Sequence, residues 1–481
     1  MRHVIRPAIV LLISLACAPE EQAVVPSVVL DTAGYVEPAR VGTFPSPKAV
    51  IDGWIAAGDT MKIRQHAWDI WAVLTSPSGK GDLPVWETFY SGHEIFELDS
   101  TDTQEMLRHP RDFEIPRQSV HVRRAAVLRN EIPVDVDERR TSFNRFSRST
   151  AEYITSHRLN FTETLDSINT AFNAANTPVA QRQVFVSPPD SVDPRSLVLK
   201  VVFQFISGDS VTAVPYWNGY GPDASTSDTL PVPDTWRQGI AIDPTGKLPI
   251  GSTIVMPVNN EPPRALKVFH LNQFYWIRLT QADVDHFSTF VRPQTDDVGA
   301  ANRTDSTSLM EMVKPGNIAL LMAMHVTGKE IPNWTWQTFW WSPFPMDPHF
   351  GADRPKTIPA PWNNYNMNFA YMMTNPNGAP RVAFNPYLET NLNGRFPTDT
   401  SARWFGVQTN CMTCHRLASR GVVDTSLTFA PYGPAQLIDP GDSSLFAGIT
   451  KIDFLWSVAF RARPAAQAPR GTPPTTESRS W

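Results

Sequence analysis

The sequence predicts an α+β fold, with a large, mixed, loop-rich body over residues 46–380 and a small, mostly helical unit over 381–463. Three observations lead there. Apolar residues recur at helical spacing near the start, switch to continuous β-rich runs in the middle, and return to helical spacing near the end. Proline is abundant, 44 of 481 residues against ~5% in an average chain, so long irregular connections separate the elements. With 26 Phe and 15 Trp, the chain also has large side chains with which to fill a core.

The elements follow in order. Arg2 and Arg6 precede an apolar run from Ala8 to Ala16, the pattern of an export signal. Ser14-Leu15-Ala16-Cys17 resembles a bacterial lipobox, with Ser14 where Leu is usual; the resemblance implies acylation of Cys17, the alternative being cleavage near Cys17 without acylation. Residues 18–45 read as a linker. Ser46-Pro47 is an N-cap followed by Pro at the first helical position, and Val50, Ile51, Trp54 and Ile55 share a face. Thr60 caps a second helix, in which Ala67, Trp68, Trp71 and Leu74 recur. Scattered histidines (His66, His93, His109, His121) read as packing or surface residues, and Arg123-Arg124 and Arg139-Arg140 as solvated charges. Residues 143–168 have helical spacing. Strands are expected at 197–206, 266–270, 274–279 and 317–326. The aromatic stretches 334–341 and 362–373 supply either a core or a dry wall for an apolar ligand. Thr450-Lys451-Ile452-Asp453 reads as a capping box ahead of a helix carrying Ile452, Leu455, Trp456 and Ala459 and ending by Arg463. Residues 464–481 read as a disordered tail.

Composition narrows the function. A formal net charge of −5 argues against nucleic acid as a partner. The chain holds no P-loop, no Gly-x-Gly-x-x-Gly and no His-Glu-x-x-His motif, and no run of ~18 apolar residues of transmembrane type. Its cysteines are three: Cys17, Cys411 and Cys414. That rules out a disulfide framework.

Cys411-Met412-Thr413-Cys414-His415 is the one motif that carries chemistry. Cys-x-x-Cys-His is the attachment signature of a c-type haem. Two intervening residues set both sulfurs along one edge of a flat macrocycle, and the next residue turns an imidazole under the iron. Cys411 and Cys414 are therefore the expected thioether tethers, and His415 the proximal ligand. A redox dithiol and half of a zinc site are the other uses of such a pair. The flanks lack a βαβ pattern, and no further Cys lies nearby.

At these residues the chain resembles the c-type cytochromes. The run 325–339, His-Val-Thr-Gly-Lys-Glu-Ile-Pro-Asn-Trp-Thr-Trp-Gln-Thr-Phe, also resembles a stretch in large exported bacterial proteins with a C-terminal haem-binding motif. Many of those carry Glu-His after the Phe, where this chain has Trp340-Trp341. The resemblance implies one covalent haem c, a closing C-terminal helix, and a proline carbonyl (Pro431 or Pro434) on the ligand histidine. It also implies a Met after the motif as sixth ligand, yet neither Met nor His follows His415. Upstream candidates are Met367, Met372 and Met373, then His349, Met346 and His325.

The expected function is one-electron transfer to or from a periplasmic or membrane redox partner, by an exported, lipid-anchored protein. The alternatives are a haem enzyme of peroxidase or oxygenase type with an open iron position, and a binding protein whose haem is structural.

Overall fold

The computed structural model describes residues 30, 34–97, 111–114, 140–187, 195–217, 236–259, 261–290, 311–389, 410–420 and 438–465. Cys17, Pro431, Pro434, His109, His121, Arg123, Arg124, Arg139 and the 466–481 part of the tail lie outside them.

Elements run in the order α1 (Lys48–Ala57), α2 (Thr60–Leu74), β1 (Tyr90–Ser91), α3 (Gly92–Phe96), β2 (Arg140–Phe146), α4 (Arg148–Ser156), α5 (Thr162–Ala174), β3 (Gln183–Val184) and β4 (Leu197–Ile206). Then come β5 (Thr212–Pro215), β6 (Gly239–Asp243), β7 (Thr253–Met256), β8 (Arg264–His270), β9 (Trp276–Arg278), α6 (Gln281–Phe290), β10 (Ile318–Gly328), β11 (Thr335–Trp341) and β12 (Tyr365–Ala370). The last described elements are α7 (Cys411–His415), β13 (Ser419–Arg420), α8 (Ser443–Phe446), β14 (Thr450–Ile452) and α9 (Trp456–Arg461). The fold is mixed α and β, and the body is β-rich.

A large antiparallel sheet in the order β1-β2-β4-β10-β11-β12, with β9 also on β10, is the frame. Its central strands, β4 and β10, are nearly continuous apolar runs because both faces are covered. On one face lies α2: Trp71 stacks on Phe339 at 4.3 Å, and Trp68 packs beside it. The opposite face carries Phe146, Val198, Trp336 and Ala370, which share a core with Ile154, Met412, Ile452, Phe454 and Leu455. Residues of β11 alternate between these two layers, as the two-residue period of a strand requires.

Several expectations need correcting. Residues 143–168 are not one helix: Phe143 and Phe146 belong to β2, and α4 and α5 follow. Both are buried in the sheet core. Arg140 is buried rather than solvated, its Nη1 donating to Tyr387 O. Pro47 itself occupies the N-cap position of α1, and Asp59, not Thr60, caps α2 by accepting from Lys62 N. The expected capping box at 450–453 does not form. Thr450–Ile452 is a strand, and the Asp453 carboxylate is taken by Lys329 Nζ at 2.6 Å.

The described part of 381–463 shares its core and a sheet with the body. Strand β14 pairs in parallel with β3, and Phe161 forms a bridge with Arg463. Helices α7, α8 and α9 span one or two turns each, and a small cluster of Leu417, Ile438, Phe446 and Ile449 packs within the segment, with Val179 of the body against it.

Candidate haem site

The motif is held from below by buried Asn410. Its Oδ1 accepts from Met412 N at 3.0 Å, capping α7, and its Nδ2 donates to Arg381 O at 2.8 Å and Met372 O at 3.2 Å. A parallel bridge between Ala383 and Asn410 continues this seam, and the Cys411 thiol reaches Ala383 O at 3.6 Å. The Trp456 indole donates to Cys414 O at 3.2 Å, tying α9 to α7.

His415 has its ring 4.4 Å from that of Trp336 on β11. Its Nδ1 donates to Phe454 O at 2.8 Å. Phe454 has φ 69° and the preceding Asp453 φ 32°, left-handed conformations that turn this carbonyl towards the ring. Such a bond fixes the tautomer and leaves Nε2 as the unprotonated nitrogen. No partner among the described residues takes Nε2.

Cys411, Cys414 and His415 are half-buried and keep solvent-accessible surface. The surrounding protein nevertheless desolvates them strongly. Burial pushes the Cys411 thiol well up and that of Cys414 up to about 12, and it lowers His415 to about 4. The three groups are thus partly exposed and at the same time closely surrounded by protein. Thiols held neutral in this way are poor thiolate nucleophiles, which argues against a redox dithiol. A neutral imidazole with a free Nε2 is the form that binds iron.

The sheet face beside the motif was not legible in the sequence. Cross-strand partners in the sheet set Asn144, Lys200, His325, Thr338 and Asn368 in one row on the face that carries Trp336. Lys200 and His325 are each the lone ionisable residue of a mostly apolar strand, which was the available signal. Above the row runs the segment 383–389. Asn385 Nδ2 donates to Thr338 Oγ1 at 2.7 Å, and Glu389 Oε1 pairs with His325 Nε2 at 2.9 Å. The charges of His325, Glu389 and Lys200 are all felt at His415.

The other candidates for the second axial position lie in different parts of the fold, with Met373 in the motif's own apolar cluster. Met367 is opposite Phe339 in the register and so faces α2, with the sheet between it and His415. Met372 is in the large core, and its carbonyl is a partner of Asn410. Met373 packs in the apolar cluster that holds Met412 and Phe454. His349 and Met346 are exposed; the His349 ring lies by Phe350, and the Met346 sulfur accepts from Arg354.

No protein-family model matches the chain, and neither does any curated protein or any solved structure. Among the described residues, no helix is long and apolar enough to cross a membrane, and no three His, Cys, Asp or Glu side chains group as a metal site by themselves.

Proposed function

We propose that the protein is an exported c-type cytochrome-like protein that carries one covalent haem and transfers single electrons to or from a periplasmic or membrane redox partner. The observation that carries this reading is the His415 ring, bonded through Nδ1 to Phe454 O with its Nε2 unengaged, directly after Cys411 and Cys414. Cys411 and Cys414 are the thioether tethers, and His415 is the proximal ligand. When bound, the haem supplies the one-electron couple. The chain supplies the rest. Asn410 and Trp456 hold the motif helix, Phe454 orients the imidazole, and Trp336 packs against it. The C-terminal segment serves as the small haem-binding unit, and its core is completed by the body. Export and acylation at Cys17 are part of the same reading, because haem c is attached outside the inner membrane.

The test is production of the full chain together with a bacterial cytochrome-maturation system. The expected product is red, gives the reduced pyridine haemochrome of a two-thioether haem, and cycles reversibly by one electron in a potentiometric titration. Cys414→Ala should shift the haemochrome band to that of a single thioether, and Cys411→Ala/Cys414→Ala should abolish covalent haem. A haemochrome unchanged in the double variant would overturn the assignment of the tethers. A haem that does not cycle under mild donors would overturn electron transfer.

A further inference from the structure

His325 stands on β10, a central strand of the large sheet, on the face that carries Trp336. It is paired with Thr338, two residues beyond Trp336 on β11, while Trp336 is paired with Thr327. His325 and Trp336 are therefore diagonal neighbours on one face, a separation of ~7–8 Å between their backbones. The His415 ring lies 4.4 Å from that same Trp336 ring. The segment 383–389 closes the circuit, with the Cys411 thiol against Ala383 O at one end and Glu389 on His325 at the other.

Like the haem tethers, His325 and Glu389 are partly open: their side chains are 18% and 16% exposed. His325 engages Glu389 through one ring nitrogen, Nε2, and its Nδ1 has no hydrogen-bond partner among the described residues. A carboxylate on one nitrogen and a free lone pair on the other is the arrangement of a metal-ligating histidine. Of the two histidines that the sequence offered for the second axial position, His325 stands in the sheet row beside Trp336, and His349 is exposed next to Phe350.

We propose that His325 is the second axial ligand of the bound haem, oriented by Glu389, so that the iron is held by two histidines and has no open position. This rests on the haem reading above. It gives the iron a ligand set suited to outer-sphere electron exchange rather than to binding a small substrate. It also makes the sheet, and not a loop after the motif, the source of the sixth ligand.

The experiment uses the full chain carrying its haem. Absorption and electron paramagnetic resonance spectra are recorded for the wild type, His325→Ala, His325→Met and Glu389→Gln, with and without carbon monoxide and added imidazole. The wild type should be low-spin in both oxidation states and fail to bind carbon monoxide. His325→Ala should turn high-spin, bind carbon monoxide, and return to low-spin with added imidazole. That return separates loss of a ligand from misfolding. His325→Met should remain low-spin with a midpoint potential raised above that of the wild type. Glu389→Gln should stay low-spin and move the potential upward by less, since the imidazole loses its anionic partner. A high-spin wild type that binds carbon monoxide would overturn the proposal. So would a His325→Ala protein with the spectrum of the wild type. Covalent haem on the denatured wild-type chain is scored separately. Its absence would remove the haem reading itself, whereas its presence with either contrary spectrum removes only the ligand assignment.

Discussion

The carbonyl that orients His415 depends on an unusual pair of backbone conformations. Asp453 and Phe454 are left-handed without being glycine, which costs about 1–3 kcal/mol each and survives only where neighbours enforce it. The enforcing contact is the buried pair Lys329–Asp453 at 2.6 Å. Burial lowers the Lys329 ammonium and raises the Asp453 carboxyl, and their mutual attraction opposes both shifts. Gln183 Nε2 adds a bond to Asp453 Oδ1 at 3.2 Å. Removing one partner strands a charge in the interior. Lys329→Met should therefore lower the unfolding free energy by about 3–5 kcal/mol, read by urea denaturation. Lys329→Met/Asp453→Leu should restore a good part of that loss. A single variant as stable as the wild type would show that the pair does not hold the turn. This contact also explains why the capping box was misread: the four-residue pattern is present, but Asp453 is claimed by a lysine 124 residues away in sequence.

At the scale of elements, β11 serves two layers. Phe339 faces α2, and Trp336 faces His415. Trp71, fully buried on Phe339, is structural in this account. Trp71→Ala should cost about 3–5 kcal/mol of stability and leave the haem spectrum of the folded fraction unchanged. A shifted spectrum in that variant would mean that the two layers are not separated by the sheet. Strand β4 was legible at its observed boundaries because a buried central strand is a continuous apolar run bounded by polar residues. The expectation for Cys411, Cys414 and His415 could be drawn from the sequence because the motif is packed into five consecutive residues. His325 was harder to place. Its neighbours come from strand register and from Glu389, 64 residues on, and a single chain read in order displays neither. In the Met367–Met373 run, alternation along β12 turns Met367 to the far face, Met372 enters the large core, and Met373 packs beside the motif.

Across the whole molecule, the C-terminal segment is bound to the body by charge as well as by apolar packing. Arg461 of α9 lies 3.5 Å from Glu97 Oε1, 3.8 Å from Asp112 Oδ2 and 3.3 Å from Glu114 Oε1. His93 pairs with Glu97 at 3.0 Å, and His286 with Asp112 at 3.0 Å. Burial alone would raise Asp112, but the His286 hydrogen bond and the charges of Arg461 and His93 leave its carboxyl below the ordinary 3.8. Burial alone would lower His93, but its bond to Glu97 and the charges of Asp112 and Glu94 leave it above the ordinary 6.5. The signs fix a window. Asp112 contributes fully above pH 3.8 and loses that contribution as pH falls through its depressed value; His93 contributes fully below pH 6.5 and loses it as pH rises through its raised value. Attachment of α9 should therefore be firmest between these limits. Tm plotted against pH should fall on both sides, and Asp112→Asn should flatten the acid limb. An acid limb unchanged in that variant would contradict the role given to Asp112.

The measurement that bears most directly on the account is the mass of the intact mature chain, taken under denaturing conditions after production with an active haem-attachment system. The account predicts polypeptide plus one haem, any lipid aside, with the added mass surviving acid–acetone extraction and mapping to the peptide that contains Cys411 and Cys414. A colourless protein whose mass is that of the bare polypeptide and lipid would contradict it.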